Sequence, residues 1–444
     1  MPSVNLPRYL GTWATIAIVI NGMIAVGIFL VPAGMAKSVG SPLILLIVWL
    51  VMAGMALSGS LCFGELASRY PAAGGGYVYL REAFGAPTAF VYGWMSLMVL
   101  DPGITATLAT GMASYIGHIF PMEDTQMKVL AILVLVTLTL INILGARIGA
   151  WMIVLLTIFK VGILVIISAL GFGLGLGDWS NFLPLVERPA DSGPLFGALA
   201  GGFVGAFFAF AGWWDLNKVA GEIQDPAKVL PKALCVAVGV VTLMYISTSA
   251  VFIYLVPISE VSNDETFAAQ VGTVIFGRSG SVFLSTAVII SIIGSLTGLL
   301  LMAPRVYFAM ARDGIFFRFA AGIHPKFGTP YRAIAIQGSL ASVLVWFGTF
   351  NQILDYFIFV AVMFIGLTVA GLFKIRHKQN YAPDYKTPFY PITPVIFLLL
   401  ASVLLVLLFG NSPTQALLGM SVTALGIPAY YFIFRKQSQQ VSTS

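Results

Sequence analysis

The chain reads as an all-α polytopic membrane protein of about twelve transmembrane helices. Three observations lead there. Only 9% of its 444 residues are charged and 59% are apolar, and the mean hydropathy is +0.96, whereas a soluble domain carries roughly 25% charged residues. A chain so poor in charge cannot cover its own surface in water. Apolar runs of about 20 residues, long enough to span a bilayer, recur from end to end and leave no room for a soluble domain. Lysine and arginine collect between those runs, mostly on one side.

In order, the spans are 12–36, 43–68, 85–117, 128–145, 149–174, 197–221, 233–256, 280–311, 332–349, 354–375, 389–409 and 414–434. The first is longer than the apolar core of a signal peptide and contains Asn21 and repeated glycine, so it is a helix of the mature protein. An even count places both termini on one face. With the N-terminus cytoplasmic, eighteen Lys/Arg fall inside, among them Arg69, Lys218, Arg305 and Arg376; Lys37, Lys128, Arg188 and Arg278 fall outside, and Lys160 lies within the membrane. That asymmetry sets the orientation. The polar, Pro-rich connector Lys374–Pro394 divides a ten-helix core, 1–375, from a two-helix appendage, 376–444. Within the core, 12–174 and 197–375 form two successive five-helix sets.

The excess of +6 charges is not gathered into a stripe with aromatics, so no nucleic-acid surface follows from it. Cys62 and Cys235 make neither a disulfide framework nor a metal-spaced cluster. His118, His324 and His377 lie in or beside loops, and no Ser-His-Asp, HExxH or P-loop pattern occurs. The chain is therefore read as no enzyme, with neither metal nor cofactor.

Two spans read badly as continuous helices. The first contains Asn21-Gly22-Met23-Ile24-Ala25-Val26-Gly27-Ile28-Phe29, then Pro32 and Gly34; the sixth contains Gly201-Gly202-Phe203-Val204-Gly205, then Phe208-Ala209-Phe210-Ala211-Gly212. Glycine costs roughly 1 kcal/mol in a helix interior, and a broken helix frees backbone groups that lipid cannot satisfy. Interrupted spans at matching positions of two halves point to a transporter's binding site, where a half-helix N-terminus offers N–H groups to an anion. Close helix packing is the other reading of such glycines.

Five further positions carry ionisable chemistry. Lys160 sits mid-span, too deep to snorkel, and must face carbonyls or hydroxyls in the interior; it serves as a fixed cation or proton site bracing the first break, or is purely structural. Asp101, just before Pro102, binds a cationic group, takes a proton, or caps the backbone around the proline. Glu65 and Glu222, near Arg69 and Lys218, suit solvated or gate-forming salt bridges, and Asp215 follows the second break with no evident role. Phe208, within that break, is placed to cover a bound ligand.

Three motifs carry a resemblance over essentially the whole chain. The run Gly64–Gly85 (GELASRYPAAGGGYVYLREAFG), the stretch Phe208–Trp213 with Glu222, Pro226 and Leu230-Pro231, and Ala309–Gly314 (AMARDG) with His324-Pro325-Lys326 and Thr329-Pro330 occur in order. On these the chain resembles the amino acid–polyamine–organocation superfamily, and within it the L-type amino acid transporters. The resemblance implies a five-plus-five inverted repeat of the leucine-transporter type with two extra helices. It implies an L-amino acid whose carboxylate meets N–H groups near Ala25, Val26 and Gly27, whose ammonium meets carbonyls of Ile24 and of Phe208 to Ala211, and which is also contacted by Ile28 and Gly212. Phe208 aligns with the gating aromatic, and Lys160 with a lysine standing where sodium sits in sodium-coupled relatives. Ser291 and Ser295 face the ammonium.

The usual GSG of the first span is here Ala25-Val26-Gly27, so the pocket should be drier and tighter, and an asparagine of some members is Thr297. The loop 118–127 has no cysteine, so no disulfide-linked heavy chain is expected. The expectation is a sodium-independent carrier of small or medium neutral L-amino acids working by alternating access in the plasma (cell inner) membrane, as an exchanger or proton-linked, with both termini cytoplasmic. A carrier of cationic amino acids or amines using Asp101, and an amino-acid-binding sensor without transport, are the competing readings.

Overall fold

The computed structural model describes residues 8–25, 27–185, 194–260 and 267–434. Val26, Arg188, Arg435, Lys436 and most of the two short tails fall outside them. Among the described residues the chain is helical, with a lone parallel bridge between Leu10 and Ile223. Nine helical segments in this set are long and apolar enough to cross a membrane. Side chains such as Leu140, Leu155, Ile158, Leu399 and Val403 stay largely exposed, while Lys160, Lys218, Asp101 and Arg305 are buried. Apolar outside and charged inside suits a protein solvated by lipid.

The first expected span is two helices, α1 (Thr12–Met23) and α2 (Gly27–Val39). Then come α3 (Pro42–Arg69), a short α4 (Gly76–Phe84) that hydropathy alone does not mark, and α5 (Ala86–Met95), which runs through the π-turn Ser96–Leu100 into α6 (Asp101–Ile119). Pro102 has no N–H for the Met98 carbonyl; the Tyr356 hydroxyl donates to that oxygen at 3.4 Å instead. Next are α7 (Asp124–Leu144) and α8 (Ala146–Gly173). The sixth expected span is α9 (Leu195–Phe210) followed by the 3-10 segment Asp215–Glu222. The rest are α10 (Pro226–Leu255), α11 (Phe267–Phe276), α12 (Arg278–Met302), α13 (Pro304–Arg312), α14 (Tyr331–Phe347), α15 (Phe350–Arg376), α16 (Ile392–Asn411), α17 (Pro413–Ala424) and α18 (Gly426–Ala429).

At the end of the bundle that holds Arg69 and Arg312, the motif residues explain one another. Gly75 has φ +51°, and a Cβ there would lie 2.9 Å from the backbone of Asn217. The bare loop therefore seats on the 3-10 segment, where Gly74 N–H donates to the Lys218 carbonyl at 3.0 Å. Asp313 of the AMARDG motif accepts from Tyr77 at 2.8 Å and from Arg81, joining two distant motifs. Glu65 and Glu222 do not pair with their sequence neighbours. Glu65 binds Arg376 at 2.5 Å, and Arg69 is exposed. Glu222 binds Arg305 at 3.0 Å. A helix buried on most of its faces sends a charge to whichever element covers it, not to the next turn.

The connector caps Glu65 as well. Tyr381 donates at 3.0 Å and the Thr387 N–H at 2.7 Å. Burial and the neighbouring carboxylate push the Tyr381 hydroxyl well above its usual range, so it stays a donor. Helix α16 packs on α3, α9 and α15. Glu65→Ala is expected to strand Arg376 and the Thr387 N–H and to destabilise the protein by about 3 kcal/mol; thermal unfolding of the purified protein in detergent reads the loss.

Candidate functional site

The two interruptions meet. Helix α9 stops at Phe210 because Ala211 turns extended and Gly212 adopts φ +104°. A Cβ on Gly212 would lie 2.8 Å from the Gly22 carbonyl carbon, so the breaks touch backbone to backbone. One turn on, a Cβ on Gly27 would stand 2.6 Å from the Ala209 Cα. The Tyr245 hydroxyl of α10 lies between the two breaks. It is 2.7 Å from the Met23 carbonyl oxygen and 2.8 Å from that of Ala209.

On the other side of the first break stands Lys160 of α8. Its Nζ donates to the Asn21 carbonyl at 3.1 Å and to Ser295 Oγ at 2.6 Å. Ser295 Oγ also lies 3.0 Å from the Asn21 carbonyl oxygen and 3.4 Å from that of Ile24. Asn21 donates through Nδ2 to the Gly294 carbonyl at 3.1 Å. The first-turn N–H groups of α2, by helix geometry, have no acceptor within their own helix.

Between the breaks lies a cavity of about 30 Å³, room for a water but not for an amino acid. Gly22, Ala25, Phe208, Ala211, Gly212 and Ser295 line it, with Ile104 and Leu108 of α6, Leu299 and Met302 of α12, and Asp215. Of the expected site residues, Ile24, Ile28 and Ala209 are buried around it. Phe210 turns away, its ring 5.2 Å from Tyr245 and 5.9 Å from Trp49. Phe208 faces Phe357 of α15 with centroids 6.5 Å apart. Val26 falls outside the described residues. Ser291, one turn from Ser295, does not reach the cavity; its hydroxyl is buried without a hydrogen-bond partner.

Beside the cavity lies a second layer of charge. Lys218 Nζ is 2.6 Å from Asp101 Oδ1 and 2.7 Å from Asp215 Oδ1, and all three side chains are at most 3% exposed. Tyr307 of α13 donates to Asp101 Oδ2 at 2.7 Å. Both oxygens of Asp101 are thus taken by groups of the protein itself. The contact to Asp215 is close but misaligned, and its Oδ1 has no hydrogen bond. Lys218 and Arg305, counted among the inner-side cations, are buried and ion-paired.

Sequence reasoning passed over Tyr245, Tyr307 and the pairing of Lys218. The available signal was a polar tip or charge inside an apolar stretch, which must find a partner away from lipid.

A family profile described as amino acid permease matches residues 10–433. The chain belongs to the amino acid permease family. Among curated relatives it is similar to the serine/threonine exchanger SteT of Bacillus subtilis, 28% identical over 98% of both chains. It is also 28% identical to the human cystine/glutamate transporter, over 96% of this chain and 85% of that one. The human large neutral amino acids transporter small subunit 2 is 28% identical over 96% and 81%. This permease is an integral membrane transporter and not an enzyme, and the resemblance drawn from its motifs holds. Gly27→Ala should destabilise the permease by about 1–3 kcal/mol, because the Ala209 backbone cannot yield. Gly34→Ala in the same helix meets nothing within 4 Å and should be neutral or stabilising by up to about 1 kcal/mol. Paired thermal melts compare them.

Proposed function

We propose that this permease is a sodium-independent carrier of small or medium neutral L-amino acids, working by alternating access across the plasma membrane with both termini cytoplasmic. Twelve spans, arranged as a five-plus-five inverted repeat over 12–174 and 197–375 with two further helices in 376–444, form its frame. The observation that carries the reading is the meeting of two broken helices around one apolar cavity. The carboxylate of the substrate binds at the N-terminus of α2, near Ala25 and Gly27. Its ammonium binds carbonyls of Ile24 and of the α9 break, beside Ser295. Apart from Ser295 and Asp215 the lining side chains are apolar, which suits a neutral side chain of modest size. Phe208 closes over it.

Lys160 supports sodium independence. Its ammonium already donates to the first break and to Ser295, so the charge a coupling cation would bring is built in. The cationic alternative loses its motive, because Asp101 is paired with Lys218 and Tyr307. A cavity of about 30 Å³ is too small for an amino acid, so binding one requires the broken segments to part.

Uptake of a radiolabelled amino acid panel into proteoliposomes tests this, with sodium and internal substrate varied. Neutral amino acids should enter at a rate indifferent to sodium. Lys160→Ala should reduce uptake at least about tenfold, the cost of roughly 1.4 kcal/mol or more, with the protein still folded. Uptake that requires sodium, or binding without flux, would overturn the reading.

A further inference from the structure

The Asp101–Lys218–Asp215 cluster holds two carboxylates against one ammonium, and none of the three is more than 3% exposed. Fully ionised, it would leave one negative charge without a counter-ion in the interior, which is costly in a low-dielectric setting. The surrounding groups do not cancel it. Lys218 is on the same segment as Asp215; Asp101 comes from α6, Tyr307 from α13, and the Tyr92 phenol of α5 is within electrostatic reach. Helix α1 brings no ionisable side chain, and the only charged residue of α12 is Arg278 at its far end. Glu65 of α3 is held by Arg376, Tyr245 of α10 is bound to two carbonyls, and Arg305 of α13 is matched to Glu222.

The two carboxylates are not equivalent. Asp101 accepts aligned hydrogen bonds on both oxygens, from Lys218 and Tyr307. Asp215 has an oxygen with no hydrogen bond, and it borders the cavity between the broken helices. A missing proton on this cluster is therefore most easily supplied at Asp215, from the cavity side.

We propose that Asp215 is a proton-binding site in the wall of the transport cavity, and that the cavity closes in the form carrying that proton. The second half rests on the carrier function proposed above. A hydronium of cavity water gives its proton to an Asp215 oxygen and leaves as water; Lys218 keeps its protons, and the cluster passes from one net negative charge to none. Closing the cavity around the unprotonated cluster would bury that charge away from water. Uptake therefore rises as pH falls, without a proton ever reaching Lys160.

Two measurements decide it. Infrared difference spectra of the purified permease in detergent, acid minus alkaline, should show a titrating protonated-carboxyl band. Asp215→Asn should remove one component of that band, beside those of the other carboxyls, while Asp215→Glu and the remote Asp355→Asn should retain that component. A difference spectrum that Asp215→Asn leaves unchanged overturns the site, whether or not the protein transports anything. In proteoliposomes, uptake of the panel's preferred amino acid should rise at least about threefold between about pH 7.5 and about pH 5.5, within the tenfold per unit that one linked proton permits. For Asp215→Asn that ratio should fall to about one, whatever its absolute rate, and Asp215→Glu should restore a slope. An unchanged ratio in Asp215→Asn overturns the link to closure. Absence of uptake by every form would strike the carrier reading, while the infrared band would still decide the proton site.

Discussion

A helix interrupted inside a membrane leaves backbone amides and carbonyls that lipid cannot satisfy, and this constraint organises the permease. Each orphaned group has to be met from within the protein. Tyr245 stands against carbonyl oxygens of both breaks, Lys160 and Ser295 take those of the first, and Gly22 and Gly212 let the two chains approach until nothing else fits between them. The first N–H groups of α2, beside the cavity, have no acceptor within their own helix.

The same logic governs the buried charges. Arg305, Lys218 and Arg376 each meet a carboxylate from a different helix. Removing one partner from such a pair is far more damaging than never having had it. The glycine-rich loop before α4, the 3-10 segment and the AMARDG turn are held against one another by these contacts. The motifs that look separate along the chain are one assembly at one end of the bundle.

Much of this was legible in the sequence. Hydropathy marked a helical membrane protein, with nine segments among the described residues long and apolar enough to cross, since a bilayer imposes a minimum apolar length, and glycine marked both interruptions. The mid-span position of Lys160 pointed to interior acceptors. What could not be read was pairing. Glu65 lies four residues from Arg69 yet binds Arg376, more than 300 positions away, because only the fold says which helix covers which face. Lys218 read as an inner-side cation because it lies near the end of its expected span. Asp215 showed no role because the cluster it joins through Lys218 is completed by Asp101, from a helix more than 100 positions away. The short helices α4 and α11 were invisible to a search tuned to the thickness of a membrane.

The bridge between Leu10 and Ile223 has a mechanical meaning. Tyr9 and Leu10 N–H groups donate to the Glu222 carbonyl, Gln224 N–H donates back to the Leu10 carbonyl, and the Tyr9 hydroxyl reaches the Glu222 carboxylate. The residues leading into α1 and those leaving the second broken span are thereby riveted into one lever. If each bond contributes roughly 0.5–1.5 kcal/mol, peeling this lever apart costs a few kcal/mol before any helix tilts. A carrier opening at this end would swing both broken segments together, coupled through Tyr9 and Leu10.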